Sequence, residues 1–237
     1  MARWIPDRTG RFPERPRYDE SEIDNECERI VADLLTKVRG RVDYPIATDD
    51  LEKLIEKRAR DPDMYADLSA DGPEVEGVTR FALDKKPAVE ISSALSESAN
   101  RKNRLRTTLA HEYGHVHFHD SLFQMKLSSK DLFSKPDDGR VVCKRDNIIN
   151  ARQVDWLEWQ AGYASGAILM PKSAILKVVE GYRRSRGVVG TITPQQEAGA
   201  DLISLVQTRF EVSADAARVR LTKLNVLVTG PSHPTLF

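Results

Sequence analysis

The sequence predicts an α+β fold, mostly helical, and three observations carry that prediction. Long windows place apolar residues at three- and four-residue spacing, the signature of amphipathic helices. One region, "GVTRFAL" followed by "PAVEIS", reads instead as two short strands joined by "DKK". The chain has 237 residues, of which 40% are hydrophobic, enough for one domain of ordinary size or one domain plus a small appendage.

Residues 1–18 read as an extended, irregular arm. Pro6, Pro13 and Pro16 interrupt any regular helix, and five arginines fall between Arg3 and Arg17. A solvated extension lying on the domain is preferred to a contact arm. A helix follows over about 20–38, with Ile23, Cys27, Ile30, Val31, Leu34 and Leu35 at helical spacing. "RGRVDYPI" breaks it, and Thr48 or Asp49 caps a second helix whose inner face carries Leu51, Leu54 and Ile55. "DPDMYADLSADGPEVEG" is rich in turn formers. The two strands come next, forming a small antiparallel sheet, and then a helix over about 100–119.

Residues 120 to about 152 show weak periodicity and contain "SKPDDGR", so they read as a long loop or lid. "DWLEWQAGYASGAILMP" opens a helix near Asp155 that ends at Pro171, and another runs over about 172–184. "RSRGVVGTITP" reads as a linker. Helices near 194–209 and 213–224, the second capped by Ser213, close the chain. The expected organisation is an arm (1–18), a main domain (19–190), a C-terminal helical subdomain resembling a helix-turn-helix (191–228) and a tail (229–237).

Bulk composition removes several classes. Lys+Arg and Asp+Glu both number 36, so there is no whole-protein field to draw the chain onto nucleic acid. Cys27 and Cys143 form no CxxC, which argues for reduced thiols rather than a disulfide framework or zinc ribbon. No signal peptide and no apolar run of about 18 residues is present, so a soluble, cytoplasmic protein without a membrane partner is expected.

The chemistry concentrates in "TTLAHEYGHVHFH", residues 107–119. Histidines at i and i+4 lie one above the other on a helix, so His111 and His115 can reach one metal ion. Glu112, between them, lies to one side, placed to hold an attacking water rather than to ligate. A turn of about 100° per residue puts His119 on the same face and turns His117 away, towards the surface. His119 has two readings: a substrate or oxyanion contact, or a cap at the helix C-terminus.

A catalytic zinc requires a third protein donor. Phe118 and Ser121 stand where the metzincin pattern wants glycine and histidine. Among downstream carboxylates, Asp131, Asp137, Asp138 and Asp146 fall in the expected loop. Glu158 is favoured instead. It begins a helix rich in small residues, Ala161, Gly162, Ala164, Ser165, Gly166 and Ala167, which allows close approach to a neighbouring helix.

Taken together, "TTLAHEYGHVHFH", "EWQAGYASGAILMP" and "FEVSADAARVRL" resemble the ImmA/IrrE family of zinc metallopeptidases. The resemblance implies a zincin-like metallopeptidase core, with His111, His115 and Glu158 as ligands of Zn2+ and Glu112 as catalytic base. It also implies bacterial gene regulation, through cleavage of a helix-turn-helix repressor or an antitoxin. Gly162 stands where thermolysin-type enzymes carry an orienting aspartate, so whatever orients the histidines comes from elsewhere. Tyr163 is a further candidate for the oxyanion, and the edge of the strands near 77–92 for docking an extended peptide.

The rival reading is a DNA-binding or partner-binding regulator, or a toxin, with a structural or vestigial metal site. It rests on the last two helices and on Arg209, Arg218, Arg220 and Lys223. Glu211 and Asp215 dilute that basic face, so packing on the main domain is preferred and nucleic acid is not the expected partner.

Overall fold

The computed structural model describes residues 3–129, 139–144 and 155–228. Strands β1 (Arg3–Pro6) and β2 (Glu14–Arg17) form an antiparallel hairpin, with Trp4 opposite Pro16. The arm is therefore ordered where the sequence suggested irregular chain. Proline rules out helix, but a two-stranded ribbon needs only half of each strand's N–H groups, so Pro6 and Pro16 are tolerated there.

Helix α1 (Glu20–Arg39) starts where the Glu22 carboxylate accepts a bond from the Asp19 N–H at 3.0 Å. It stops at Gly40, whose φ of 69° suits a residue without Cβ. Helix α2 (Thr48–Arg58) buries Leu51, Leu54 and Ile55 as the spacing predicts.

Four strands form a mixed sheet in the order β3–β5–β4–β6: β3 (Arg60–Ala66), β4 (Val75–Ala82), β5 (Lys85–Ser92) and β6 (Arg140–Lys144). β4 and β5 are the expected antiparallel pair. β3 adds a parallel edge, so the sheet is not purely antiparallel. Its sequence hid it, because Pro62 and an Asp61 at φ 42° are turn features that an edge strand accommodates. β4 and β5 are each paired on both sides, so neither offers the free edge expected for a peptide; the edges are β3 and β6.

After the short α3 (Ser93–Ser96), helix α4 (Lys102–Ser128) crosses the sheet. It continues nine residues beyond His119, and β6 also lies within the stretch expected as a loop. Leu122 and Phe123 are buried in the extension, which rejects the loop reading there. Residues 130–138 and 145–154, the rest of that stretch, lie outside the described residues.

Helices α5 (Trp156–Leu169), α6 (Lys172–Arg186), α7 (Glu197–Phe210) and α8 (Ala214–Lys223) complete the chain. Ser213 caps α8, its hydroxyl accepting from the Ala216 N–H at 3.1 Å. Residues 191–228 share the main core: Leu202, Val206, Phe210, Ala217 and Leu221 pack in one cluster with Ile23, Leu109 and Ile168. Ile192, in the expected linker, pairs with Leu227. Among the described residues no helix is long and apolar enough to cross a membrane.

Candidate metal centre

Helix α4 lies between the sheet and α5 and carries its polar residues inward. His111, Glu112, His115 and His119 are 0% exposed, and Glu158 is 5% exposed. Buried groups of this kind require partners. Close helix packing brings the partners within reach. A Cβ on Gly114 would lie 3.0 Å from Ala161 Cα, so a larger residue would push α4 and α5 apart. Ser165 Oγ ties the same pair by donating to Thr107 O at 3.0 Å.

Across that contact three side chains converge. His111 Nε2 and His115 Nε2 are 3.0 Å apart. Glu158 reaches both, Oε2 to His111 Nε2 and Oε1 to His115 Nε2, each at 3.2 Å. A tetrahedral ion with bonds of about 2.0–2.1 Å has donor–donor edges of about 3.3–3.4 Å. The observed spacing therefore fits an N,N,O donor set with one position left open. Glu158 Oε2 is buried and, apart from its 3.2 Å approach to His111 Nε2, makes no well-aligned hydrogen bond among the described residues, which suits an oxygen that ligates a cation.

Charge follows this arrangement. Burial alone would raise the Glu158 carboxyl, but the His115 and His111 imidazoles outweigh it and hold the group well below the usual carboxylate range. Burial would lower His115, and the Glu158 charge reverses that, for a net upward shift.

Glu112 sits beside this triad without joining it. Burial pushes its carboxyl up, and His115, His111 and the Thr79 hydroxyl pull it back only in part. Thr79 Oγ1, on β4, donates to Glu112 Oε2 at 2.6 Å. Gly77, two residues earlier on the same strand face, leaves room for the carboxylate: a Cβ there would lie 2.5 Å from Glu112 Oε1.

A second group of possible donors, His111, Glu112 and Cys143, lies nearby, its ligand atoms within 4.8 Å of one another. Cys143 pairs with Gly77 across the sheet. Burial, with Glu112 and Glu158 adding to it, pushes the thiol well above its ordinary range, so it keeps its proton. The His111–His115–Glu158 set is the better fit to a catalytic ion, because it leaves Glu112 available as a base.

The other expected residues sit as follows. His119 is not at a helix end. Its Nδ1 is 3.0 Å from His115 Nδ1 and its Nε2 3.0 Å from Gln160 Oε1, which leaves neither nitrogen for a substrate or an oxyanion. Burial, helped by neighbouring His115, lowers it well below the ordinary imidazole value. His117 is not a surface residue: α1 covers it, and its Nε2 lies 3.0 Å from Glu26 Oε1. The Tyr163 hydroxyl is committed to Asp24 Oδ2 at 3.1 Å, under the Arg220 guanidinium, rather than to an oxyanion.

Gly77, Thr79, Gln160 and Cys143 escaped the sequence reading. For Gly77 and Thr79 the period-two alternation of "GVT" placed both on one face, but nothing local said which face met the helix.

No curated protein matches the chain. The family model of peptidase M78, the IrrE N-terminal-like domain, matches residues 94–222, which span α4, α5 and every possible metal donor described above. That match covers more than half of the chain, so the chain belongs to the peptidase M78 family of metallopeptidases, with an IrrE N-terminal-like domain.

Proposed function

We propose that this protein is a zinc-dependent endopeptidase that cleaves a protein partner, such as a helix-turn-helix repressor or an antitoxin. One observation carries the proposal: two imidazoles and a carboxylate converge at 3.0–3.2 Å with a second, hydrogen-bonded carboxylate beside them. His111, His115 and Glu158 would hold the ion. When bound, zinc supplies Lewis-acid polarisation of the scissile carbonyl and makes a nearby water acidic.

Glu112 takes a proton from the attacking water and passes it to the leaving amine. The Thr79 bond fixes Oε2 and leaves Oε1, which has no hydrogen-bond partner among the described residues, for the proton.

The regulator reading loses its basic face in this arrangement. Arg209 pairs with Asp43 at 3.4 Å, Arg218 with Asp215 at 3.1 Å, Arg220 with Asp24 at 2.7 Å and Lys223 with Glu20 at 3.5 Å.

The test is metal content by plasma mass spectrometry, followed by incubation with the protein encoded beside this one. Near one zinc per chain is expected in wild type and in Glu112→Gln, and almost none in Glu158→Ala. Cleavage is expected in wild type alone. A wild type that holds no metal after zinc loading and dialysis would sink the proposal.

A further inference from the structure

His115 and His119 face each other through Nδ1 at 3.0 Å, and the contact belongs to a longer chain of bonds. His119 Nε2 meets Gln160 Oε1 at 3.0 Å, and Gln160 Nε2 meets the Pro16 carbonyl, on strand β2, at 3.1 Å. His115, His119 and Gln160 are buried.

The Pro16 end gives the chain its direction. A carbonyl only accepts, so the amide end facing it is the NH2 and the end facing His119 is the oxygen. That oxygen also only accepts, so His119 Nε2 carries the hydrogen. A neutral imidazole has one N–H, which leaves His119 Nδ1 with its lone pair. His115 Nδ1 must then donate. The lone pair of His115 therefore lies on Nε2, the atom 3.2 Å from Glu158 Oε1 and 3.0 Å from His111 Nε2. In the other tautomer Nε2 would carry a hydrogen and could not bind an ion.

We propose that His119 and Gln160 are positioning residues that lock His115 in its metal-binding tautomer, with the Pro16 carbonyl of the N-terminal hairpin as the fixed end. This rests on the assignment of His111, His115 and Glu158 as the donor set. It supplies the orienting partner that Gly162 cannot provide, and it makes the hairpin part of the metal centre. The hairpin is seated by independent contacts: the Trp156 Nε1–H donates to Asp7 Oδ1 at 3.2 Å, and Phe12 packs edge-on against Phe123 and Trp156. Loosening that seat should weaken metal binding through Gln160.

Zinc affinity, read by competition with a chromophoric chelator on the full-length protein, tests the proposal. The visible spectrum of the cobalt(II)-loaded protein provides a second readout. His119→Leu and Gln160→Leu should each weaken zinc binding by about 10–100-fold. His119→Gln, whose amide can accept from His115 and donate to Gln160, should recover most of the loss. Asp7→Ala should weaken binding in wild type and add little in the Gln160→Leu background, because its effect on the hairpin reaches His115 only through the Gln160–Pro16 bond. Wild-type affinity in a folded His119→Leu would overturn the relay while leaving the donor set intact. Equal losses in His119→Leu and His119→Gln would overturn it in favour of simple packing. Absence of zinc from wild type would overturn the donor set and the relay with it.

Discussion

Gly77 and Glu112 are fitted to each other: a Cβ at position 77 would lie 2.5 Å from Glu112 Oε1. One missing methyl on β4 thus sets where the Glu112 carboxylate can stand. Gly77→Ala should displace that carboxylate and lower kcat/KM by about 10–100-fold, since misplacement by about 1 Å can cost a hundredfold. Metal content should stay near one ion per chain. Assays of partner cleavage and metal content on the same sample check this, and unchanged turnover would show that Glu112 does not act from this position.

Thr79→Val removes the other constraint on Glu112. A hydrogen bond to a charged group contributes about 1.5–3 kcal/mol, so kcat/KM should fall about tenfold or more. The pH profile carries the sharper signal. Burial already raises the Glu112 carboxyl, and the Thr79 hydroxyl is one of the groups holding it down. Without that bond the carboxyl rises further. A base must be ionised, so the acid limb should move to higher pH. A limb that stays in place, or moves down, would contradict the assigned contact.

Cys143→Ala should keep its metal. The thiol is held protonated by burial beside Glu112 and Glu158, which makes it a poor donor next to the two imidazoles and Glu158. The expected result is about one ion per chain and a stability loss of about 1–2 kcal/mol from the vacated volume. Loss of the ion would transfer it to the His111–Glu112–Cys143 group.

Arg220 and Arg218 lie two residues apart on α8 and should behave differently. Arg220 is buried against Asp24, and its Nε donates to Met170 O at 3.0 Å. Arg220→Ala strands Asp24 and should cost about 3–5 kcal/mol in chemical denaturation. Arg218 is exposed, and Arg218→Ala should change stability by no more than about 0.5 kcal/mol. Similar costs for the two would mean that α8 is not anchored through Arg220.

The reading of the sequence succeeded where the signal was local and periodic. His111, Glu112 and His115 announce themselves because one helix repeats them at its own pitch. Glu158 was reachable because the small residues after it imply a close helix contact, which Gly114 and Ala161 make. The β4–β5 hairpin was visible through its alternation. The losses share a cause. β6 has five residues, and β3 contains Pro62, so neither pattern is long enough to stand out. Gln160 and Thr79 are ordinary residues whose role exists only through partners on other elements, and no spacing rule reports such a partner. His119 was placed on the correct face, but its role depended on where α4 ended and on what α5 put opposite it.

The crossing of α4 and α5 also bears on how the molecule is made. Glu158 lies 43 positions beyond His115. At about 5–20 residues per second, a ribosome needs roughly 2–9 s to add that stretch. Throughout that interval the growing polypeptide holds His111, Glu112 and His115 without Glu158. The convergence of these side chains can therefore form only after translation has passed residue 158.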